Sequence, residues 1–476
     1  METLFWHDYE TFGVDARKDR PCQFAGVRTD LDLHVIDEPV NWFCKPAADF
    51  LPDPLSCAIT GILPQYAKAQ GLAEAEFCAR IHGQLAEPGT CGVGYNNLRF
   101  DDEVTRHLLY RNFYDPYERE WKNGNSRWDL IDLVRMTHAL RPEGIEWPLN
   151  EDGTPSFRLE LLTKANGLAH ESAHDALSDV YATIAIARLI KTKQPKLYDY
   201  LFQLRNKHRV LPLLDLIKQE PVVHISRMFA ASRGALAIVM PLCRHPSNPN
   251  AIIVADLISD PDTWLALPPE EMKRRLYQRS EERPAGEARI PLKAVHINRC
   301  PALAPLSVLT DAVLKRFAID LLAVGRHRER IRGTPGLSQS VQALFASPSE
   351  QQVEDPDLML YSGSFLGDHD KRLAQRIREA RPEELSGFAG QLRDARLPEL
   401  LFRYRARNFP QTLSGVEQAR WHQHCALRLQ GKLPGAGVSL AQFTQTLAEP
   451  LERITPAMKL QLQAYASELS AACGLA

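Results

Sequence analysis

The sequence predicts an α+β protein of several domains, and three observations carry that prediction. Residues 1 to about 190 read as strands first and helices after, the order of a mixed sheet with helices packed on it. Residues 221–300 turn β-rich, with helices inserted between the strands. Beyond about 350 the pattern is helical throughout. A chain of 476 residues is long enough for two or three packed domains, and these changes of character divide it into 1–190, 195–350 and 352–476.

The bulk composition bounds the function. Hydrophobic content of 44% and charged content of 24% are ordinary for a soluble globular protein. With a formal net charge of −2 the chain has no strong overall basic field, so any nucleic-acid surface must be local. Nine scattered cysteines, odd in number and without a Cys-x-x-Cys pair, argue against a disulfide framework or zinc ribbon and fit a reducing cytoplasm. Acids by position 8 speak against an opening signal segment, and no apolar run reaches membrane-spanning length.

The first strand, Phe5 onward, ends in Asp8 and Glu10. Residues i and i+2 of a strand project from one face, so both acids point the same way. Two buried like charges side by side are costly unless a cation lies between them, and a hard divalent metal is the simplest one. Taken alone, the pair also reads as a polar edge with two solvated acids; further acids downstream must decide. Strands are expected at Phe24–Thr29, His34–Asp37 and Trp42–Lys45, the last stopped by Pro46. Glu74–Leu85 is helical by the spacing of Phe77, Ile81 and Leu85, and Cys91–Tyr95 is a short apolar strand. The helix that follows carries Asp101 and Asp102 in its first turns, where the macrodipole alone favours acids.

Residues 106–135 interleave bases and rings, among them Arg106, Tyr117, Trp121 and Arg135. Cations for phosphates and rings for unpaired bases suit a single strand; acids in the same stretch leave a solvated surface as the alternative. Ser156 is expected to cap a helix whose Arg158 either reaches a phosphate or pairs with an acid. His174 and Asp175 precede an amphipathic helix marked by Leu177, Val180, Tyr181 and Ile184. His174 and Asp179 are five apart, so they can meet only if His174 lies on the loop and folds over the second turn. Residues 191–209 are basic, Lys207 included, and lead into the β-rich region with strands at 235–240, 251–256 and 294–298 and a charged helix at 269–279. Helices near 367–379, 397–406, 414–429, 439–449 and 455–471 complete the chain, with a scaffold or strand-clamping role expected.

Asp8, Glu10, Asp101 and Asp179, with His174, form a set that two-metal phosphodiester hydrolysis requires. Two cations about 3.5–4 Å apart stabilise the attacking and leaving oxygens, and a histidine with an ordinary pKa of about 6.5 can take the proton of the attacking water. The order Asp-x-Glu, Asp, His-x-x-x-x-Asp resembles the DEDD exonucleases of the histidine subtype. His7–Gly13, Gly94–Arg106, Tyr110–Tyr117 and Arg405–Pro410 (Arg-Ala-Arg-Asn-Phe-Pro) resemble, more narrowly, the bacterial exonuclease I family, and the resemblance spans essentially the whole chain.

That resemblance implies a ribonuclease H-like first domain, an SH3-like second and a helical third. It implies Mg²⁺-dependent 3′→5′ degradation of single-stranded DNA to 5′-mononucleotides, with two ions per site, Mn²⁺ as a substitute, and a place in DNA repair or recombination. Asp8, Glu10, Asp101 and Asp179 match the metal-binding acids and His174 the general base. Arg158 matches a substrate-contacting arginine, as Glu10 also contacts substrate; Arg106, Tyr117, Trp121, Arg135 and Lys207 match the lining of the strand's path. Arg141 and Tyr200 match part of a pocket for the acidic tail of single-stranded DNA-binding protein. The expected protein is a cytoplasmic monomer. Two rivals stand beside this reading: an RNA-trimming or proofreading enzyme of the same superfamily, against which the two extra domains count, and a non-catalytic strand-binding adaptor, against which the full set of acids counts.

Overall fold

The computed structural model describes residues 1–170, 174–279, 282–284, 286–346 and 353–475. The chain forms two compact units. One comprises Met1–Ser126, His170–Ile184 and Gln351–Ala476; the other comprises Arg127–Ala169 and Ala185–Glu350. The boundary expected near 350 falls in 347–352, outside the described residues.

The first unit is built on β1 (Thr3–Thr11), a central strand of its sheet. β1 pairs antiparallel with β2 (Pro21–Thr29), which pairs antiparallel with the edge strand β3 (Val40–Phe43). On its other side β1 runs parallel to β4 (Thr90–Gly94); β5 (Ser126–Asp129) falls, but for its first residue, in the second unit. Nearly every residue of β1 and all of β2 are buried, which a central strand covered on both faces requires. Phe5, Tyr9 and Phe24 pack with Phe77, Ile81 and Leu85 of the helix Glu74–Ala86 and with Val104 and Leu108 of the helix Asp101–Arg111.

The C-terminal helices share the cores of this unit. Phe12, Cys22, Phe50 and Leu51 pack with Leu429, Phe443, Leu447, Leu462 and Tyr465, while Tyr110 and Phe113 pack with Leu373, Ile377, Leu400 and Tyr404. The expected helices are all present, at Asp368–Glu379, Leu397–Asn408, Gly415–Leu429, Leu440–Ala448 and Pro456–Ala472. Reciprocal caps start two of them: Ser414 with Glu417, and Ser439 with Gln442.

The second unit holds an antiparallel sheet in the order β10 (Ala302–Pro305), β6 (Val222–Ile225), β7 (Leu236–Arg244), β8 (Ala251–Asp256) and β9 (Leu292–His296). The charged helix is present at Pro269–Tyr277.

Two local expectations are corrected. Residues 34–37 form no strand. Asp30 accepts from the His34 amide at 2.8 Å and Leu33 sits at φ 71°, so the chain turns, and Val35 alone bridges back to Thr29. Ser156 is not a helix cap. Its amide donates to the Pro148 carbonyl at 2.8 Å, beside a Leu149–Pro155 bridge, so the helix starts later, at Leu159, with Arg158 at the cap position.

Candidate active site

The geometry of the acids follows from the first unit's sheet. Asp8 and Glu10 lie two apart on β1 and share a face. The helix Asp101–Arg111 follows β4 through a tight loop in which Asn96 has φ 66°. A Cβ on Gly94 would stand 2.7 Å from Cβ of Asn97 and 3.0 Å from the His7 carbonyl, so this close turn beside β1 requires glycine. The turn delivers Asp101 to β1, where its Oδ1 accepts from the Tyr9 amide at 3.1 Å, between the two strand acids. Its neighbour goes the other way: Asp102, fully buried, pairs with Arg119 at 2.7 Å.

The fourth acid arrives on the helix Ala176–Lys193. His174 precedes it in a left-handed turn, φ 68°, and its amide donates to Asp179 Oδ2 at 3.3 Å. The histidine thus folds over the second helical turn, as the five-residue spacing demands of a loop residue. Donor atoms of Glu10, His174 and Asp179 all lie within 4.8 Å of one another.

Electrostatics mark this cluster. Burial, and then the charges of Asp101, Glu10, Asp179 and Asp175, push Asp8 well above the usual carboxylate range. Burial, and then Asp179, Asp101 and Asp175, push Glu10 up to about 9. Burial raises Asp179 as well, opposed by its hydrogen bond with His170, whose Nε2 lies 2.6 Å from Asp179 Oδ1. Carboxylates forced together this way favour a divalent cation, and the oxygens with one imidazole nitrogen form a donor set that such an ion accepts.

Sequence reasoning missed three residues here. His170 engages Asp179; a second histidine four residues before His174 was its only signal. Asp175 adds charge to the cluster while its Oδ2 accepts from the Ser178 amide at 3.1 Å, the capping role that its position suggested. Gln23 on β2 gave no signal, because a lone glutamine in a strand is unremarkable until its cross-strand partner is known.

Of the other site candidates in this unit, Arg106 is buried and saturated by carboxylates: Glu120 at 2.7 and 2.9 Å and Glu103 at 2.6 Å. Its guanidinium lies 5.4 Å from the Tyr117 ring centre. Tyr117 in turn meets Phe365 edge-on at 5.8 Å. These rings border a cavity of about 580 Å³ also lined by Tyr114, Lys371 and Arg378. Trp121 is 64% exposed, a large ring held in solvent.

The remaining candidates belong to the second unit. Arg158 is exposed and pairs with Glu160, and Arg135 is buried and pairs with Asp132 at 2.9 Å. Lys207 is exposed at the start of the short helix Lys207–Val210. Arg141 donates to the carbonyls of Leu140 and Val308, and burial pushes the Tyr200 hydroxyl up to about 12.

A sheet whose central strand and two flanking helices converge acids on one point is the frame of a nuclease. In agreement, residues 5–187 match a family model described as Exonuclease. Residues 205–347 match the Exonuclease I SH3-like domain and 354–469 the Exonuclease I C-terminal domain. Exodeoxyribonuclease I of Escherichia coli is 46% identical over 471 residues, 98% of either chain. A moderately thermophilic exonuclease I from Methylocaldum szegediense superposes with a TM-score of 0.93 at 49% identity, covering 98% of this chain and 100% of that one. The zinc-ion-bound form of the E. coli exonuclease I–single-stranded DNA complex gives 0.90 at 45% identity, covering 98% and 100%. The chain belongs to the bacterial exonuclease I family.

Proposed function

We propose that this protein is a Mg²⁺-dependent exonuclease that digests single-stranded DNA from the 3′ end and releases 5′-mononucleotides. The observation that carries the reading is the meeting of Glu10, His174 and Asp179 within 4.8 Å, next to Asp8 and Asp101. Asp8, Glu10 and Asp179 hold metal most directly and Asp101 supports a second ion; carboxylate oxygens suit Mg²⁺, with Mn²⁺ as a substitute. Bound there, the ions supply charge stabilisation for the attacking and leaving oxygens of an in-line displacement. His174, on its loop, takes the proton of the attacking water. The new bond joins that oxygen to phosphorus while the bond to the 3′ oxygen of the preceding nucleotide breaks. Glu10, on the same face, also contacts the terminal nucleotide.

The strand's path is assigned to Tyr117 and Trp121 as stacking rings and to Arg158, Arg135 and Lys207 as phosphate contacts. Arg106, already neutralised by Glu103 and Glu120, serves this path by underlying the Tyr117 ring. The exposed ring of Trp121 and the aromatic, basic cavity beside Tyr117 support this assignment. We assign the pocket around Arg141 and Tyr200 to the acidic tail of single-stranded DNA-binding protein, and the enzyme to DNA repair or recombination as a cytoplasmic monomer. Nine scattered cysteines without a Cys-x-x-Cys pair support a reducing compartment. Among the described residues no helix is long and apolar enough to cross a membrane. The division into 1–190, 195–350 and 352–476 is supported by the three family-model matches.

The test is digestion of one strand labelled at its 5′ end, with Mg²⁺ and with EDTA, beside the same strand as RNA and as a blunt duplex. A metal-dependent ladder shortening from the 3′ end, chiefly on single-stranded DNA, is expected. Glu10→Ala should slow digestion at least ~10³-fold, the equivalent of about 4 kcal/mol of lost stabilisation. Release of the label as a mononucleotide in the first turnover would overturn the polarity.

A further inference from the structure

Gln23 is 1% exposed and stands directly across from Glu10 in the β1–β2 pairing. Residues opposite each other in an antiparallel pair share a face, so the Gln23 amide lies on the face that carries Asp8 and Glu10. A buried amide must be hydrogen-bonded, and this one is used almost fully. Its Nε2 donates to Asp175 Oδ1 at 2.9 Å and to Asn41 Oδ1 at 3.0 Å, and its Oε1 lies 3.4 Å from the Ala176 amide that it accepts from. The NH₂ end must face Asp175, because an ionised carboxylate only accepts. One side chain therefore ties the sheet face bearing Glu10 to the first turn of the helix bearing Asp179.

The consequence concerns two aspartates that compete for one role. Asp175 is close enough for its charge to press on both Asp8 and Glu10. Both of its oxygens are nevertheless occupied, Oδ1 by Gln23 and Oδ2 by the Ser178 amide. Asp179, one turn on, has its carboxylate beside Glu10 and His174. We propose that Gln23 is a positioning residue: it turns Asp175 away from the cation and fixes the helix so that Asp179, not Asp175, completes the site with Glu10. Outer groups that orient ligands in this way typically contribute about 10–100-fold in metal affinity or activity.

The inference rests on the metal reading of Glu10 and Asp179, and the experiment separates the two. Binding of Mn²⁺ to the full chain, without DNA, is measured by titration calorimetry for the native protein, Gln23→Met, Asp175→Asn, the double variant and Glu10→Ala. Binding of a fluorescently labelled oligonucleotide in EDTA, and kcat and KM with metal, are measured alongside. Gln23→Met should weaken Mn²⁺ about 10–100-fold and lower kcat by a similar factor, with oligonucleotide affinity in EDTA unchanged. Asp175→Asn alone should still bind Mn²⁺, weakened through its lost charge by less than Gln23→Met weakens it, and adding it to Gln23→Met should restore much of the loss by removing the competing carboxylate. A residue that merely stabilised the fold would show no such rescue.

If Gln23→Met does not fold, Gln23→Asn, whose amide is one methylene short of Asp175, takes its place in every arm and should show the same loss. Native Mn²⁺ affinity in the Gln23 variant, or loss of Mn²⁺ binding in Asp175→Asn, would overturn the proposal while Glu10→Ala still loses the ion. Native binding by Glu10→Ala would instead overturn the metal reading beneath it.

Discussion

Replacing Arg407 by methionine tests how the first unit is held together. Arg407 and Asp49 are both buried, with side chains 2% and 0% exposed. The guanidinium grips Asp49 at 2.7 and 3.1 Å and Asp357 at 2.5 and 2.9 Å. Methionine fills similar space and removes all four contacts. Asp357 keeps Arg403 at 3.0 Å and Arg20 at 3.5 Å. Among the described residues Asp49 keeps Arg428 and His424 as side-chain partners, each at 3.6 Å, and is left undercompensated. Breaking one side of a buried ion pair costs about 3–5 kcal/mol, a large fraction of a domain's net stability of about 5–15 kcal/mol. The assay is urea unfolding followed by tryptophan fluorescence; Trp421, whose ring centre lies 5.8 Å from the Arg407 guanidinium, reports locally. With m of about 3 kcal/mol/M, the midpoint should fall by about 1–1.7 M. Lys68→Met, which breaks the exposed Lys68–Glu468 pair, should change stability by less than about 1 kcal/mol. Arg407→Met/Asp49→Leu should recover part of the loss, because no stranded carboxylate remains. A midpoint shift below about 0.3 M for Arg407→Met, the equivalent of about 1 kcal/mol, would mean that Asp49 does not depend on Arg407 for its compensation.

The same network sets an acid limit. Burial pushes Asp49 and Asp357 upward, but Arg407 and the neighbouring cations more than offset it and hold both well below the usual carboxylate range. A depressed folded-state pKa contributes stability that is complete above the unfolded value of about 3.9. That contribution should be lost as pH falls from there through the folded values, with a shallower decline in Arg407→Met, read by urea midpoints against pH. Asp101→Asn should abolish digestion yet raise the melting temperature of the metal-free protein, since it removes a charge that repels Asp8 and Glu10. Asp102→Asn should instead cost about 3 kcal/mol by leaving the buried Arg119 with only the more distant Glu120 carboxylate, at 3.9 Å, among the ion pairs of the described residues, and retain activity per folded molecule. Trp121→Ala should weaken oligonucleotide binding in EDTA by about 1–3 kcal/mol, measured by fluorescence anisotropy, and unchanged affinity would remove Trp121 from the path. A chain ending at residue 346 should expose Phe12, Phe50 and Leu51 and bind a hydrophobic dye, because burying each contributes about 1.5–3 kcal/mol.

What the sequence disclosed and what it withheld divide along physical lines. The Asp8–Glu10 pair was legible because strand period alone puts both on one face, and Asp101 because an acid opening a helix after a strand is local information. Position alone does not choose between Asp101 and Asp102, since both suit a helix start, and only the family resemblance singles out Asp101; in the structure the buried Arg119 claims Asp102 and leaves Asp101 to the Tyr9 amide. The C-terminal helices were readable from periodicity and breakers, yet their partners were not. His34–Asp37 failed as a strand because its β-branched pair, Val35 and Ile36, carries no news of the Asp30 side chain that turns the chain instead. Arg106 reads as a phosphate contact in a basic, ring-rich stretch, and only the fold reveals that Glu103 and Glu120 already neutralise it.

The stretch Arg405–Pro410 sharpens that division, because its conspicuous residues prove to be fold contacts. Arg405 pairs with Glu417, Arg407 bridges Asp49 and Asp357, and Asn408 Oδ1 accepts from the Ala75 amide at 2.8 Å near the start of the helix Glu74–Ala86. From Asp49 the segment runs on to Asp53, whose amide donates to the Phe12 carbonyl at 2.8 Å, two residues beyond Glu10. The amide of Phe12 donates to the carbonyl of Arg20 at 2.9 Å, and the Arg20 side chain approaches Asp357 at 3.5 Å. Both backbone groups of Phe12 are therefore bonded close to these contacts: its amide to Arg20, whose side chain approaches Asp357, and its carbonyl to Asp53, four residues beyond the Asp49 that Arg407 grips. Carboxylates crowded as Asp8, Glu10 and Asp179 are gain nothing by staying together until a cation arrives, so the restraint must come from outside the cluster. In this chain the helix Leu397–Asn408, nearly 400 residues after β1 in sequence, supplies part of it through Arg407.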